Sequence, residues 1–254
     1  MKTKSYYLSG FAITAITAIT FLLSGCDEDQ SVEPDDSRLY KFTVTRSSSV
    51  LANASVSIQT SYQYYHGVTD NQGKCQIKIP NEVTLPTYVI VTVDHNSIMP
   101  YALSVPGSDN SNSNKSVNCQ NAPSTVLLKE VNLHHLGNDD YGGAPNSQHQ
   151  LSSEGIEKSF SFYLSSIPGT MPRIQLFARG IEHPTEIKFN GITTDKLENS
   201  ASNGDLSRYD GQLTANTHTV LHAGNNTITI KTGPNNSSDP WDDIEFCGLL
   251  LYYQ

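Results

Sequence analysis

The sequence predicts an all-β protein built as two tandem β-sandwiches, a Greek-key module followed by one of jelly-roll size. Three observations carry this. Apolar residues recur with a period of two, as in Phe160, Phe162 and Leu164 or in Ile174, Leu176 and Ala178. Turn chemistry punctuates the strands at short intervals, as in Asp70-Asn71-Gln72-Gly73, Asn190-Gly191 and Ala223-Gly224-Asn225-Asn226. No segment shows a convincing helical period.

The N-terminus is a targeting segment. Lys2 and Lys4 give a positive start, and Phe11 to Leu23 is an apolar run too short for a comfortable permanent span. It ends in Leu23-Ser24-Gly25-Cys26, which resembles the bacterial lipoprotein signal. That resemblance implies lipidation of Cys26 and a membrane-anchored protein. Asp27 directly after the cysteine resembles an inner-membrane retention signal of some enterobacteria, whereas the acidic run Asp27-Glu28-Asp29 resembles a surface-export signal of the Bacteroidetes. The expectation taken is the outer membrane or cell surface. Residues 27–37 are acidic and hold Pro34, so they read as a flexible tether.

The chain has a formal net charge of -9, and loss of Lys2 and Lys4 makes the remainder more acidic still. Such a chain, without basic runs, is unsuited to nucleic acid and to anionic lipid heads. Of four cysteines, Cys26 goes to the lipid. Cys75 and Cys119 are expected to pair in an oxidising compartment, and Cys247, inside an apolar run, is expected to be a buried free thiol. No Cys-x-x-Cys supports a redox pair or a zinc ribbon.

Residues 38–131 are expected to form the first sandwich. Its strands are Leu39 to Thr45, Ala54 to Ile58, Cys75 to Pro80, Tyr88 to Val93 and, closing the set, Val126 to Val131. Ala54-x-Val56-x-Ile58, then Gly67-x-Thr69-Asp70-x-x-Gly73-x-Cys75-x-Ile77, then Val89-x-Val91-x-Val93 resembles the carboxypeptidase regulatory-like (prealbumin-like) sandwich. The resemblance implies a spacer without catalytic residues; an immunoglobulin-like module is the nearest competitor. Asp109-x-Ser111-x-Ser113 has calcium-loop spacing but lacks the loop's glycine and its terminal acid, so a solvated loop is expected.

Residues 132–254 are expected to form the second sandwich. The closing run Ile244 to Tyr253 is apolar on both faces from Phe246 onward, which suits a central strand covered on both sides. Gln175-Leu176-Phe177-Ala178-Arg179-Gly180, Glu186-Ile187-Lys188-Phe189-Asn190-Gly191 and Leu221-x-x-Gly224-x-Asn226-x-Ile228-x-Ile230 resemble galactose-binding-like jelly rolls of carbohydrate-binding modules. Many such domains hold a structural calcium where first and last strands meet. Asn138, Asp139 and Asp140 at the start, with Asp242 and Asp243 before the last strand, would supply its oxygens.

The densest polar stretch runs from His134 to Gln150. His134, His135 and His149 with Asp139 or Asp140 invite a zinc-hydrolase reading, but adjacent strand residues point to opposite faces and no His-Glu-x-x-His occurs. Neither Glu154 with Glu157 nor Asp205 with Asp210 stands apart from ordinary exposed acids as a glycosidase pair. A sugar site needs an aromatic platform with amides and acids beside it. Trp241, Tyr209, Asn236 and Asp239 are the candidates, with end-capping of the core the competing role for Trp241. The reading is a non-catalytic, lipid-anchored envelope protein whose second domain recognises a glycan. The alternative is an assembly subunit that binds a protein partner in an envelope or secretion complex. A metal-dependent hydrolase comes third.

Overall fold

The computed structural model describes residues 37–108, 114–139, 149–198, 206–234 and 240–253. Residues 36–254 form one compact unit. Among the described residues it is all-β apart from one helical turn, with four sheets packed as two sandwiches.

The first sandwich uses β1 (Ser37–Arg46), β2 (Ser49–Val50), β3 (Ser55–Gln59), β4 (Tyr64–Val68), β5 (Lys74–Pro80), β6 (Tyr88–Asp94), β7 (Tyr101–Pro106) and β8 (Asn114–Cys119). β1 pairs antiparallel with β2 and β5 and parallel with β8. The facing sheet has the order β4-β3-β6-β7. Alternation decides what lies inside: Tyr40, Phe42 and Val44 of β1 meet Val56 and Ile58 of β3 and Val89, Val91 and Val93 of β6. The Asp70 turn carries the chain from β4 in one sheet to β5 in the other. The Asp70 carboxylate accepts the N–H of Gln72 at 2.8 Å and of Lys74 at 2.9 Å, and Gly73 takes φ +73.

Two expectations are corrected here. Cys75 and Cys119 are separate buried thiols. Cys75 stands opposite Phe42 on β5, and Cys119 opposite Arg46 on β8. The two strands flank β1, so two strand spacings separate the cysteines laterally by roughly 10 Å. A disulfide needs Cα atoms within about 7 Å. Burial raises Cys75 to about 11 and Cys119 to about 12, so both stay protonated. The second correction concerns the strand expected to close the first sandwich. It is β9 (Thr125–Glu130), and it pairs with the last strand of the chain, so it belongs to the second sandwich.

The second sandwich continues with β10 (His134–Leu136), β11 (Glu157–Leu164), β12 (Arg173–Arg179), β13 (Thr185–Phe189), β14 (Ile192–Leu197), β15 (Ser207–Gln212), the turn α1 (Thr217–Val220), β16 (Gly224–Lys231) and β17 (Ile244–Tyr253). One sheet has the order β10-β17-β12-β15, with β9 also on β17; the other has the order β11-β16-β13-β14. As expected, β17 is central and buried along almost its whole length, and Cys247 is a buried free thiol. Ile244, Phe246, Leu249 and Leu251 of β17 all face the sandwich core. The odd step between Phe246 and Leu249 is a bulge at Gly248, φ +62, where the register against β12 slips between Gln175 and Phe177.

Both faces of β6 and of β17 are apolar because the two sandwiches stack. Ile90 and Ala102, on the outer face of the first, pack with Phe177 and Cys247 on the outer face of the second. A buried polar set crosses this layer. Arg179, 1% exposed, donates to Glu245 Oε2 at 3.0 and 2.6 Å and to the Tyr88 carbonyl at 2.8 Å. The Gln150 amide takes the N–H of Ile90 at 2.6 Å and donates to the carbonyl of Gln59. Each buried charge thus meets an opposite charge or a backbone partner, the condition for tolerating charge there.

Candidate ligand cleft between the sandwiches

Stacking leaves the β3–β4 side of the first sandwich uncovered, and a cleft of about 540 Å³ lies there against the second sandwich. Its outer wall is the hairpin Thr60 to Gln63. The Thr60 N–H and hydroxyl donate to the Gln63 carbonyl at 2.8 and 2.9 Å, closing a tight turn. The turn is pinned to the second sandwich: Ser61 donates to the Gln150 carbonyl at 3.2 Å, and Gln59 accepts the Leu133 N–H at 3.3 Å. On this fixed hairpin Tyr62 is 85% exposed and Tyr64 47% exposed, whereas Tyr65 turns into the core. Parity along β4 separates them.

The inner wall is Asn132, Leu133, His134 and Glu154. His134 turns inward from β10 and packs on Phe160 and Phe246, with centroids 5.3 and 5.2 Å away. Its Nδ1 lies 2.9 Å from Glu154 Oε1, and Lys158 holds the other oxygen of Glu154. Burial raises the Glu154 carboxyl, but the hydrogen bonds from Lys158 and His134 outweigh it and hold the group below the usual carboxylate range. His134 Nε2 has no hydrogen-bond partner among the described residues; Glu130 Oε1 stands 3.8 Å away. The cleft therefore combines exposed aromatic faces, amides and an ionised carboxylate in a fixed frame, the mixture a polar ligand with apolar faces needs.

The sequence-predicted residues fall elsewhere. The acids at both ends of the second sandwich do converge: the Asp139 N–H donates to Asp243 Oδ1 at 3.2 Å, and the Asn138 amide donates to Asp139 at 3.1 Å. Their oxygens are directed at N–H donors. Asp242 Oδ2 accepts the N–H groups of Glu182 at 2.8 Å and His183 at 2.9 Å, and burial raises its carboxyl. Asp140 lies outside the described residues, and among those described no three His, Cys, Asp or Glu side chains are placed to hold a metal. Tyr209 is half-buried on β15, its ring against the core and its hydroxyl on the Glu198 carbonyl at 3.1 Å. Trp241 is half-buried by the Pro234 bridge, with Lys231 Nζ 5.3 Å from its ring centroid. Tyr209 thus belongs to β15, whereas Trp241 stands in an isolated bridge outside the named strands. Asn236, Asp239 and Cys26 lie outside the described residues.

His135 turns away from His134 and stacks on His149 with centroids 4.6 Å apart. For His135 burial lowers the pKa, but Asp243, Glu245 and the Leu151 carbonyl raise it further, for a net rise. For His149 burial wins and brings it down to about 4. The surroundings of the two stacked imidazoles thus shift their pKa values in opposite directions.

Sequence reasoning missed Tyr62, Tyr64 and the Glu154–His134 pair. Ser61-Tyr62-Gln63-Tyr64-Tyr65-His66 did carry a signal, an aromatic–amide alternation in a stretch without turn glycine.

No family model matches the sequence, and no curated protein matches it. Among solved structures, a DUF3823 family protein from Parabacteroides merdae ATCC 43184 aligns over 85% of this chain and 98% of its own, at 11% identity and TM-score 0.24. A candidate carbohydrate-binding protein from Bacteroides uniformis ATCC 8492 aligns over 78% of this chain and 99% of its own, at 11% identity and TM-score 0.24. The VP2 protein of infectious bursal disease virus aligns over 85% of this chain and 72% of its own, at 9% identity and TM-score 0.29. At that distance the cleft's own residues carry the functional reading.

Proposed function

We propose that this is a lipid-anchored cell-envelope protein that binds a glycan, without catalysis, in the cleft between its two sandwiches. The observation that carries the reading is the pair of exposed tyrosines, Tyr62 and Tyr64, held on a pinned hairpin beside amides and Glu154. A pyranose face is apolar and its rim is hydroxyl, so stacked rings flanked by polar groups suit it. The lipoprotein-like Leu23-Ser24-Gly25-Cys26 supports the membrane anchor in this reading, and the chain's acidity argues against nucleic acid as the ligand. This moves the sugar site from the loops around Tyr209 and Trp241 to the junction of the domains.

Affinity gel electrophoresis of the full chain through soluble polysaccharides tests it. Retardation by at least one neutral polysaccharide is expected. It should be lost in Tyr62→Ala/Tyr64→Ala and kept in Trp241→Ala. Retention by none of a broad panel would overturn the reading. A second reading, a protein partner adding a strand to β4, has support in exposed Val68 and Tyr64 on that edge. A calcium ion at Asp139 and Asp243 remains a separate proposal, checked by metal analysis of the purified protein.

A further inference from the structure

We infer that the cleft is one end of a longer track along β4, which takes a single twisted glycan chain through at least three consecutive sugar residues. This rests on the glycan-binding reading and names the form of glycan bound. Parity along β4 sets the track. Tyr65 turns into the core, and a Cβ on Gly67 would stand 2.5 Å from Cys75 Sγ, so positions 65 and 67 face inward. Tyr64, His66 and Val68 therefore share the opposite face, and all three are exposed. The Tyr64 and His66 ring centroids are 6.0 Å apart, and Tyr62 precedes them on the hairpin, 85% exposed. The row of rings ends at Val68. Tyr62 and Tyr64 line the cleft, and His66 carries the row out of it along the edge strand of its sheet.

A spacing of 6.0 Å is close to the length of one pyranose residue in an extended chain, so each ring faces its own sugar residue. A polar strip runs beside the rings. On β3, Gln59 stands opposite Tyr64, Ser57 opposite His66 and Ser55 opposite Val68. Gln59 and Ser55 are half-buried at the foot of the row, and buried Ser57 lies 3.5 Å from the Ser55 hydroxyl. This strip is uncharged, which suits the hydroxyl rim of a neutral chain. The rings are not coplanar: the planes of Tyr64 and His66 are tilted by 34°. The natural twist of a strand keeps such a row from flattening. A crystalline polysaccharide presents a flat face and needs coplanar rings, whereas a tilted row follows a single chain that turns about its axis.

The test uses the full chain and a broad panel of neutral soluble polysaccharides in affinity electrophoresis, among them xylan, galactomannan, dextran and mixed-linkage β-glucan. Size-fractionated fragments of whichever polysaccharide retards the protein, one to six sugar residues long, are then titrated by calorimetry. Affinity is expected to rise about threefold to tenfold from the disaccharide to the tetrasaccharide and then to level off. His66→Ala should remove most of that rise and leave disaccharide affinity within about twofold. Tyr163→Ala, which removes an exposed ring of the second sandwich, should change neither. Microcrystalline cellulose should not sediment the protein. The inference is overturned if affinity is already full at the disaccharide, if His66→Ala weakens both lengths equally or neither, or if crystalline cellulose sediments the natural chain. Each of those results leaves the glycan-binding reading standing, whereas retention by none of the panel removes both.

Discussion

At the scale of single residues, the buried ionisable groups of the second sandwich have separable roles. Arg179 and Glu245 are 1% and 0% exposed and hydrogen-bond each other. Removing one charge strands the other, a loss of about 3–5 kcal/mol for such pairs. Glu245→Leu should therefore lower unfolding stability by about that amount in urea titration, and Arg179→Met/Glu245→Leu should regain a large part of it. His149 gives a pH dependence of definite sign. Its folded pKa of about 4 lies below the ordinary 6.5. The unfolded chain therefore binds a proton that the folded chain refuses between those values. Its contribution is complete above about pH 6.5 and declines as pH falls toward 4, by up to about 1.4 kcal/mol per pH unit. His135, raised, acts in the opposite direction and loses its contribution as pH rises through its folded pKa. Urea titrations between pH 4.5 and 6.5 should show a shallower slope for His149→Phe than for the natural chain. An identical slope would show that His149 is protonated in the fold.

At the scale of elements, alternation was legible and partnership was not. The strands over Tyr40 to Val44, Val89 to Val93 and Phe246 to Tyr252 follow from period two and from apolar residues on both faces. The placement of β9 did not follow, because Val126-Leu127-Leu128 suits either sandwich and its partner β17 lies far along the chain. The Cys75–Cys119 expectation failed for the same reason: cysteine spacing does not reveal that β8 runs parallel to β1 on the side away from β5. The bulge in β17 is another hidden element. It shifts Leu249 and Leu251 into phase with the core while Leu250 faces Met99. Gly248 allows it, with φ +62 and a Cβ position 3.0 Å from the Phe177 ring. Gly248→Ala should cost about 1–3 kcal/mol, read from the urea midpoint, through left-handed strain and pressure on Phe177.

At the scale of the whole molecule, the junction between the sandwiches is what builds the cleft. Neither wall is complete alone: the tyrosines come from the first sandwich, and His134 and Glu154 from the second. The sequence showed the polar crowding of His134 to Gln150 but not its purpose, because Gln150 works through partners some 60 and 90 residues upstream. Its side chain takes Ile90 N–H, reaches the Gln59 carbonyl beside the tyrosine hairpin, and its own carbonyl receives Ser61. Truncating it to alanine strands the buried Ile90 N–H and frees the hairpin from one anchor. Gln150→Ala should cost about 1–3 kcal/mol. It should also weaken polysaccharide retention, although Gln150 does not line the cleft. Calorimetry of the natural chain should show one cooperative transition, since the hydrogen bond from Arg179 to the Tyr88 carbonyl and the packing of Ile90 with Phe177 cross the layer. The variant should broaden or split it as the sandwiches uncouple. Unchanged retention in a protein whose melting has split would mean that the hairpin holds its tyrosines in place without the second sandwich.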